Sequence, residues 1–113
     1  MEVFNQTRKT ILADNALMAN SFFKRACGLL GRRTFTYGQA LILKPCNSIH
    51  TYFMNFAIDA LFVDKNNIVV KTVVGLKPFR LSPICLKSKF VIELPCGAIK
   101  STSTSLGDKL ILK

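Results

Sequence analysis

Apolar residues along this chain arrive in short bursts cut by turn-forming residues, and the period within the bursts is nearer two than 3.6. Residues 8–19 alternate loosely, with Ile11, Ala13 and Leu17 apolar, and predict one or two short strands near Asp14-Asn15. The next segment changes period. Phe22, Phe23, Ala26 and Leu30 fall on one side of a helix over Phe22–Leu30, with Lys24 and Arg25 toward water, Asn20 or Ser21 as cap and Gly31 as the stop. After a turn at Tyr37-Gly38, Gln39–Leu43 reads as a strand closed by Pro45, and Ile49–Met54 and Phe56–Val63 as two more. Asp64-Lys65-Asn66-Asn67 is a strong turn leading into Ile68–Val74, the returning strand of a hairpin. Leu76–Pro83 reads as loop, Lys89–Leu94 as strand, Ile99–Leu106 as a short helical turn and Lys109–Leu112 as a last strand. Many short strands with one convincing helix predict a mainly β fold, either a β-sandwich or a jelly-roll-like barrel with one short helix packed against it.

Length narrows this to one domain over residues 1–113, long enough to fold without disulfides or a metal. Half of the residues are hydrophobic and nine are phenylalanines, which excludes global disorder. No apolar run approaches the ~20 residues of a membrane-spanning helix. The N-terminus lacks the basic-then-apolar order of a signal peptide, so the chain reads as cytoplasmic. In that compartment Cys27, Cys46, Cys85 and Cys96 are expected as free thiols, and none forms a C-x-x-C pair. Sixteen Lys and Arg against six Asp and Glu give a net charge of +10, which favours acidic partners. The basic residues are dispersed and no nucleic-acid-binding motif accompanies them, so a generic basic surface is favoured over a nucleic-acid face.

Candidate chemistry centres on Cys46–Asp59, which holds the chain's one histidine. Asp59 sits inside the apolar run Phe56–Val63, where a carboxylate needs partners. Cys46, His50 and Asp59 invite a nucleophile, base and orienter reading. Extended geometry opposes it, since the nine steps from His50 to Asp59 span about 30 Å, and Tyr52–Phe56 offers no Gly or Pro for an easy turn. A bend or bulge near Asn55 would put His50, Met54 and Asp59 on one face without bringing them into contact. Cys46-x-x-x-His50 supplies one loose ligand pair, too little for a structural zinc site, so no metal or cofactor is assigned. For Asp59 the favoured role is accepting backbone N–H bonds or pairing with a buried base. Alternation puts Glu93 on a face with Val91, opposite Ile92 and Leu94, and solvent is its expected surrounding. Tyr52, Phe53 and Phe56 read as core rather than as a stacking platform. Lys77-Pro78-Phe79-Arg80 has the character of a recognition loop without a specific chemical signature.

Several segments together resemble the prokaryotic family known as domain of unknown function 192. They are Gly28-Leu29-Leu30-Gly31-Arg32, similar to a G-L-M-x-R element; Cys46–Thr51 with Met54, Ile58-Asp59, Phe62 and Asp64; and Glu93-Leu94-Pro95-Cys96-Gly97 followed by Gly107-Asp108. Leu30 stands where Met is common, Phe79 where Trp is common and Cys96 where Ala is common, which argues against chemistry at the Cys96 thiol. The resemblance implies a β-rich, sandwich-like domain and no established activity. It makes Asn47, His50, Met54 and Asp59 the candidate ligand-binding residues. The leading expectation is a non-catalytic binding module for a small molecule or protein. An enzyme using His50 with Cys46 or Asp59, and nucleic-acid binding through the basic surface, stand as alternatives.

Overall fold

Two strands at the centre of the molecule are buried at every position, β4 (Ile58–Val63) and β6 (Phe90–Pro95). A strand covered on both faces needs apolar residues throughout rather than at alternate positions, as these two have apart from Asp59 and Glu93. The computed structural model describes residues 1–19, 21 and 33–113. Its seven strands form one sheet in the order β5 (Val69–Leu76), β4, β6, β3 (Gly38–Leu43), β2 (Thr10–Ala19), β1 (Val3–Asn5), β7 (Leu110–Leu112). Only β2 and β3 run parallel; the other neighbours are antiparallel. Ile68 bridges to Lys109, and hydrogen bonds of 2.9 Å run from Val69 N to Asp108 O and from Leu110 N to Asn67 O. These contacts tie the two outermost strands together at one end, so the sheet curls into a half-barrel.

Strand alternation splits the apolar side chains into two cores. Val3, Leu12, Ile42, Leu61, Val63, Phe90, Ile92, Leu94 and Leu110 fill the concave side. Leu41, Leu43, Ile58, Ala60, Phe62 and Val91 point the other way, where Ile49 and Met54 from the 44–57 loop cover them. The mainly β expectation therefore holds, realised as a single curled sheet. Its helical part among the described residues is α1 (Ala98–Ser101), which overlaps the start of the helical turn predicted over Ile99–Leu106 and follows β6 after Cys96-Gly97. The predicted helix over Phe22–Leu30 and the Gly28–Arg32 element lie outside the described residues.

The hairpin forms as expected. Asp64 Oδ1 accepts from Asn66 N at 2.8 Å and Ile68 N at 3.0 Å, and Asn67 takes the left-handed conformation with φ 63°. The one or two short strands expected near Asp14-Asn15 are one ten-residue strand, with a register shift between Ala13 and Asn15. The predicted strand Ile49–Met54 is absent. Its one ladder contact is the isolated bridge His50–Leu81, and the chain turns at Tyr52-Phe53 with Phe53 at φ 62°. A turn expected to need Gly or Pro is thus made by a phenylalanine in the left-handed region.

A buried polar network joins the first and last strands at the closed end. Asn5 Nδ2 donates to Thr104 Oγ1 at 3.1 Å and to Asp108 Oδ2 at 2.9 Å, and Asn5 Oδ1 accepts from Arg8 N at 3.0 Å. Burial works to raise the Asp108 carboxyl, but bonds from the Asn5 amide, the Ser105 N–H and the Arg8 guanidinium outweigh it and hold it below its ordinary 3.8. The stabilisation it gives is therefore present above the unfolded value and is lost as pH falls through the lower folded value.

Candidate functional site

Thr51 is fully buried, and it organises an exposed surface. Its N–H donates to Arg80 O at 2.9 Å and its carbonyl accepts from Phe79 N at 2.9 Å. Its Oγ1 accepts from Arg80 N at 2.9 Å and donates to Lys77 O at 2.5 Å. Ser82 N donates to Ile49 O and Ser82 Oγ accepts from Ile49 N, each at 2.9 Å. The loops at 44–57 and 77–89 are thereby zipped edge to edge. Ile49, Thr51 and Ser82 turn inward and are buried, whereas His50, Tyr52, Phe79 and Leu81 are exposed. His50 stacks on Tyr52 with ring centroids 5.4 Å apart, and Phe53 meets Phe79 edge to face at 5.6 Å.

Phe53 is 71% exposed and Phe79 54%, and both hold positive φ, 62° and 60°. A bulky residue in the left-handed region is strained by about 1–2 kcal/mol, a cost that here brings no burial in return. Leu81, Ile84 and Leu86 extend the apolar surface, with Leu86 86% exposed. Lys44, Lys77, Arg80, Lys87 and Lys89 lie in the same two loops, which contain no Asp or Glu. The expectation that Tyr52 and Phe53 belong to the core is corrected, since both are exposed on a loop; Phe56 is half-buried. Their aromatic character gave no clue that the segment leaves the sheet.

The four sequence-derived candidates separate. Asn47 and His50 are exposed in the loop, and Met54 lies beneath it in the outer core. Asp59 points to the opposite side of the sheet. Its Oδ1 accepts from Gly75 N at 2.9 Å and its Oδ2 from Gly97 N and Ile99 N, both at 3.0 Å. His50 Nδ1 accepts from Tyr52 N at 3.3 Å and Cys46 Sγ donates to Ser48 O at 3.0 Å. None of these bonds links Cys46, His50 and Asp59 into a relay. Among the described residues no three His, Cys, Asp or Glu side chains gather as a metal site, and no helix is long and apolar enough to cross a membrane.

A second locus lies where β4 begins and β6 ends. Phe35, Thr36, Tyr37, Phe56, Ala57, Pro95 and Cys96 line an open cleft of about 410 Å³. The Phe35 and Phe56 rings stack at 5.9 Å, and the Tyr37 hydroxyl donates to Cys96 O at 3.3 Å. The next residue, Gly97, has φ +97°, and a Cβ there would stand 2.7 Å from Tyr37 Oη. Gly97→Ala is expected to lower stability by about 1–3 kcal/mol, read as a shift of the urea midpoint at unchanged slope.

Glu93 corrects a further expectation. It is 3% exposed, its β-ladder neighbours are Leu41 and Ala60, and its Oε1 has no hydrogen-bond partner. The face shared with Val91 was read correctly, but loops cover it, so it does not meet solvent. Burial pushes the carboxyl up to about 8. The apolar stretch Phe90–Leu94, broken only by Glu93, was the signal of a strand buried on both faces.

A single curled sheet with two loops zipped over its outer face defines a mainly β domain. The profile of DUF192, described as an uncharacterized ACR family, matches residues 3–112, and the chain belongs to that family. It is 33% identical over 112 residues to the UPF0127 protein of Pyrococcus horikoshii, covering 96% of each chain. With the UPF0127 protein of Pyrococcus furiosus it shares 32% over 111 residues, 96% of this chain and 95% of the relative. Its fold is similar to that of a protein of unknown function from Novosphingobium aromaticivorans, with TM-score 0.85, 17% identity and coverage of 98% and 82% of the two chains. A protein described as a putative transcription regulator from Sinorhizobium meliloti gives TM-score 0.83 at 17% identity, with coverage of 97% and 89%. At that identity the likeness shows the fold alone.

Proposed function

We propose that this domain is a non-catalytic binding module whose recognition face is the loop surface around His50, and that its partner is a protein segment with an apolar anchor flanked by acidic residues. The observation that carries this reading is the pair Phe53 and Phe79, held outward at positive φ in a cluster with no acidic residue. Strain maintained at exposed aromatic residues is characteristic of functional surfaces. Exposed Leu81, Ile84 and Leu86 favour a protein over nucleic acid, because aliphatic side chains give bases no stacking surface. In this reading Asn47 and His50 contact the partner, Met54 supports the loop from below, and Asp59 acts on the scaffold.

Phe53→Asn and Phe79→Asn test the reading without unfolding the domain. Asn tolerates the left-handed conformation, so each variant should shift stability by less than ~1 kcal/mol in urea titration. Peptides selected from a random displayed library should carry Asp or Glu around an aromatic or aliphatic anchor. Their affinity should fall at least tenfold in either variant. Peptides whose binding ignores both substitutions would overturn the proposal. So would wild-type binding, lost in the same variants, to anionic vesicles or single-stranded oligonucleotides instead of peptides.

A further inference from the structure

The two edges of the sheet are protected unequally. β7 presents three residues at its edge, whereas β5 presents eight. The outer side of β5 is paired at its start, where Val69 N donates to Asp108 O at 2.9 Å and Gly107 N donates to Val69 O at 2.8 Å. Beyond Val69, no backbone bond from the described residues reaches that side of the strand as far as Leu76, and Gly75 N is taken by Asp59 on β4. Bulges at both ends of the β4–β5 ladder leave Lys71–Val73 in unbroken register between them. Natural edges are blunted by proline or by several charges. This one has the single charge of Lys71, no proline, and five β-branched residues among the six of Val69–Val74. Val74 is 64% exposed. Such an edge is a template for one more strand.

We infer that the free edge of β5 binds an extended acidic segment of the partner as an added strand, continuing from the apolar anchor held by the loop face. This deepens the loop-face proposal and rests on it for the position of the anchor. Charge selects the occupant. From Lys65 to Ile92 the chain carries six Lys or Arg and no Asp or Glu, with Lys71 on the edge itself and Lys77 where the edge meets the loops. An acidic strand is attracted along this length, and a carboxylate opposite Lys71 makes a favourable cross-strand pair. A second copy of this chain is the wrong occupant, because pairing two β5 edges brings together two molecules of net charge +10. Continuity comes from the path of the chain. Lys77 follows Leu76 directly, and its carbonyl is held by Thr51 Oγ1. Phe79 lies three residues past the strand, at most about 11 Å of extended backbone. A partner thus needs about three residues to pass from an anchor at Phe79 to the edge. In strand addition the main chain supplies affinity and alternate side chains supply specificity.

The test takes peptides selected on the full chain from the random displayed library and follows amide exchange along β5. Bound peptide should slow exchange at least tenfold at alternate residues within 70–74, because successive N–H groups of a strand point to opposite sides. Methylating the peptide amides one at a time should cost tenfold or more in affinity at every second residue and little in between. Lys71→Glu should weaken the acidic peptides at least fivefold. Peptides with Lys in place of the facing acid should bind that variant better than wild type. Peptides that need Phe53 and Phe79, but leave β5 exchange unchanged and tolerate methylation throughout, would overturn this inference while the loop face stands. Peptides that protect β5 yet ignore Phe53→Asn and Phe79→Asn would overturn the loop face, and with it the continuous path from anchor to edge. A library without binders would overturn both. Protection of β5 that grows with protein concentration in the absence of peptide would make a second copy the occupant, and the acidic partner would be wrong.

Discussion

Glu93→Gln should make the protein more stable above neutral pH and should remove most of its loss of stability on the alkaline side. In the unfolded chain this carboxyl titrates near 4.5, and in the folded protein burial pushes it up to about 8. Below 4.5 both states hold the proton and the group contributes no pH dependence. Between 4.5 and about 8 the folded state keeps a proton that the unfolded state has lost. Raising the pH through that window therefore weakens folding, by up to tenfold in the equilibrium constant per pH unit. Above about 8 the full penalty of a buried, unpartnered charge is present, of order several kcal/mol. Glutamine has the same shape and does not titrate. Urea titrations across this range should find the variant close to wild type at pH 4 and clearly more stable at pH 9 (roughly the limits of the window). A wild-type stability that stays flat from 5 to 8 would show that the carboxyl is not sealed in the sheet. On the acid side the network around Asp108 supplies the opposite slope, so the most stable range should lie between the two titrations.

Short-range chemistry explains what was legible in the sequence. The β4–β5 hairpin could be read because the Asp64 side chain makes its turn with Asn66 and Ile68, all within five residues. The strand ending at Pro95 is legible in its own apolar run, whereas the helical turn after it is held by the distant Asp59 carboxyl. Glu93 shows the limit. Its face followed from alternation, but whether that face met water depended on loops from residues 44–57, distant in sequence. The turn at Phe53 illustrates another limit. Nothing in Tyr52-Phe53-Met54 favours a left-handed residue, and the conformation is imposed by the bonds Thr51 makes to Lys77, Phe79 and Arg80. That surface became visible only once two loops separated by 26 to 29 residues were zipped together.

These limits also account for the separation of the candidate residues. A lone histidine and an aspartate within an apolar run drew attention for the same reason, the cost of burying polar groups. The structure resolves that cost differently for each. His50 avoids it by staying exposed on the loop, and Asp59 meets it with backbone donors. On the loop face His50 is thus joined by phenylalanines that did not look anomalous in the sequence, and the same holds for the Phe35–Phe56 pair and Pro95 of the aromatic cleft.

Asp59→Ala should be the most destabilising single substitution among the candidate residues, because one carboxyl satisfies three backbone groups in two elements. The β4–β5 pairing sets four residues of β5, from Val73 to Leu76, against three of β4, from Ile58 to Ala60. The extra residue forms a bulge at Gly75, with φ +64°, whose N–H turns out of the ladder to Asp59 Oδ1. The other oxygen receives Gly97 N and Ile99 N, the donors that open α1, at 3.0 Å each. Removing the carboxyl leaves three N–H groups without their acceptor, and about 1–3 kcal/mol for each sealed from water gives a total of at least ~3 kcal/mol. Asp59→Asn keeps one oxygen but sets an NH2 group against backbone donors, so it should recover only part of the loss. Urea unfolding measures the totals, and amide exchange at Gly75, Gly97 and Ile99 separates the bulge from the helix start. The same carboxyl holds the turn carrying Cys96 at the rim of the aromatic cleft. In Asp59→Asn under native conditions Cys96 should therefore alkylate faster than in wild type. An Asn variant within 1 kcal/mol of wild type would show that these N–H groups find other partners, and would remove Asp59 as the link between the bulge, α1 and the cleft.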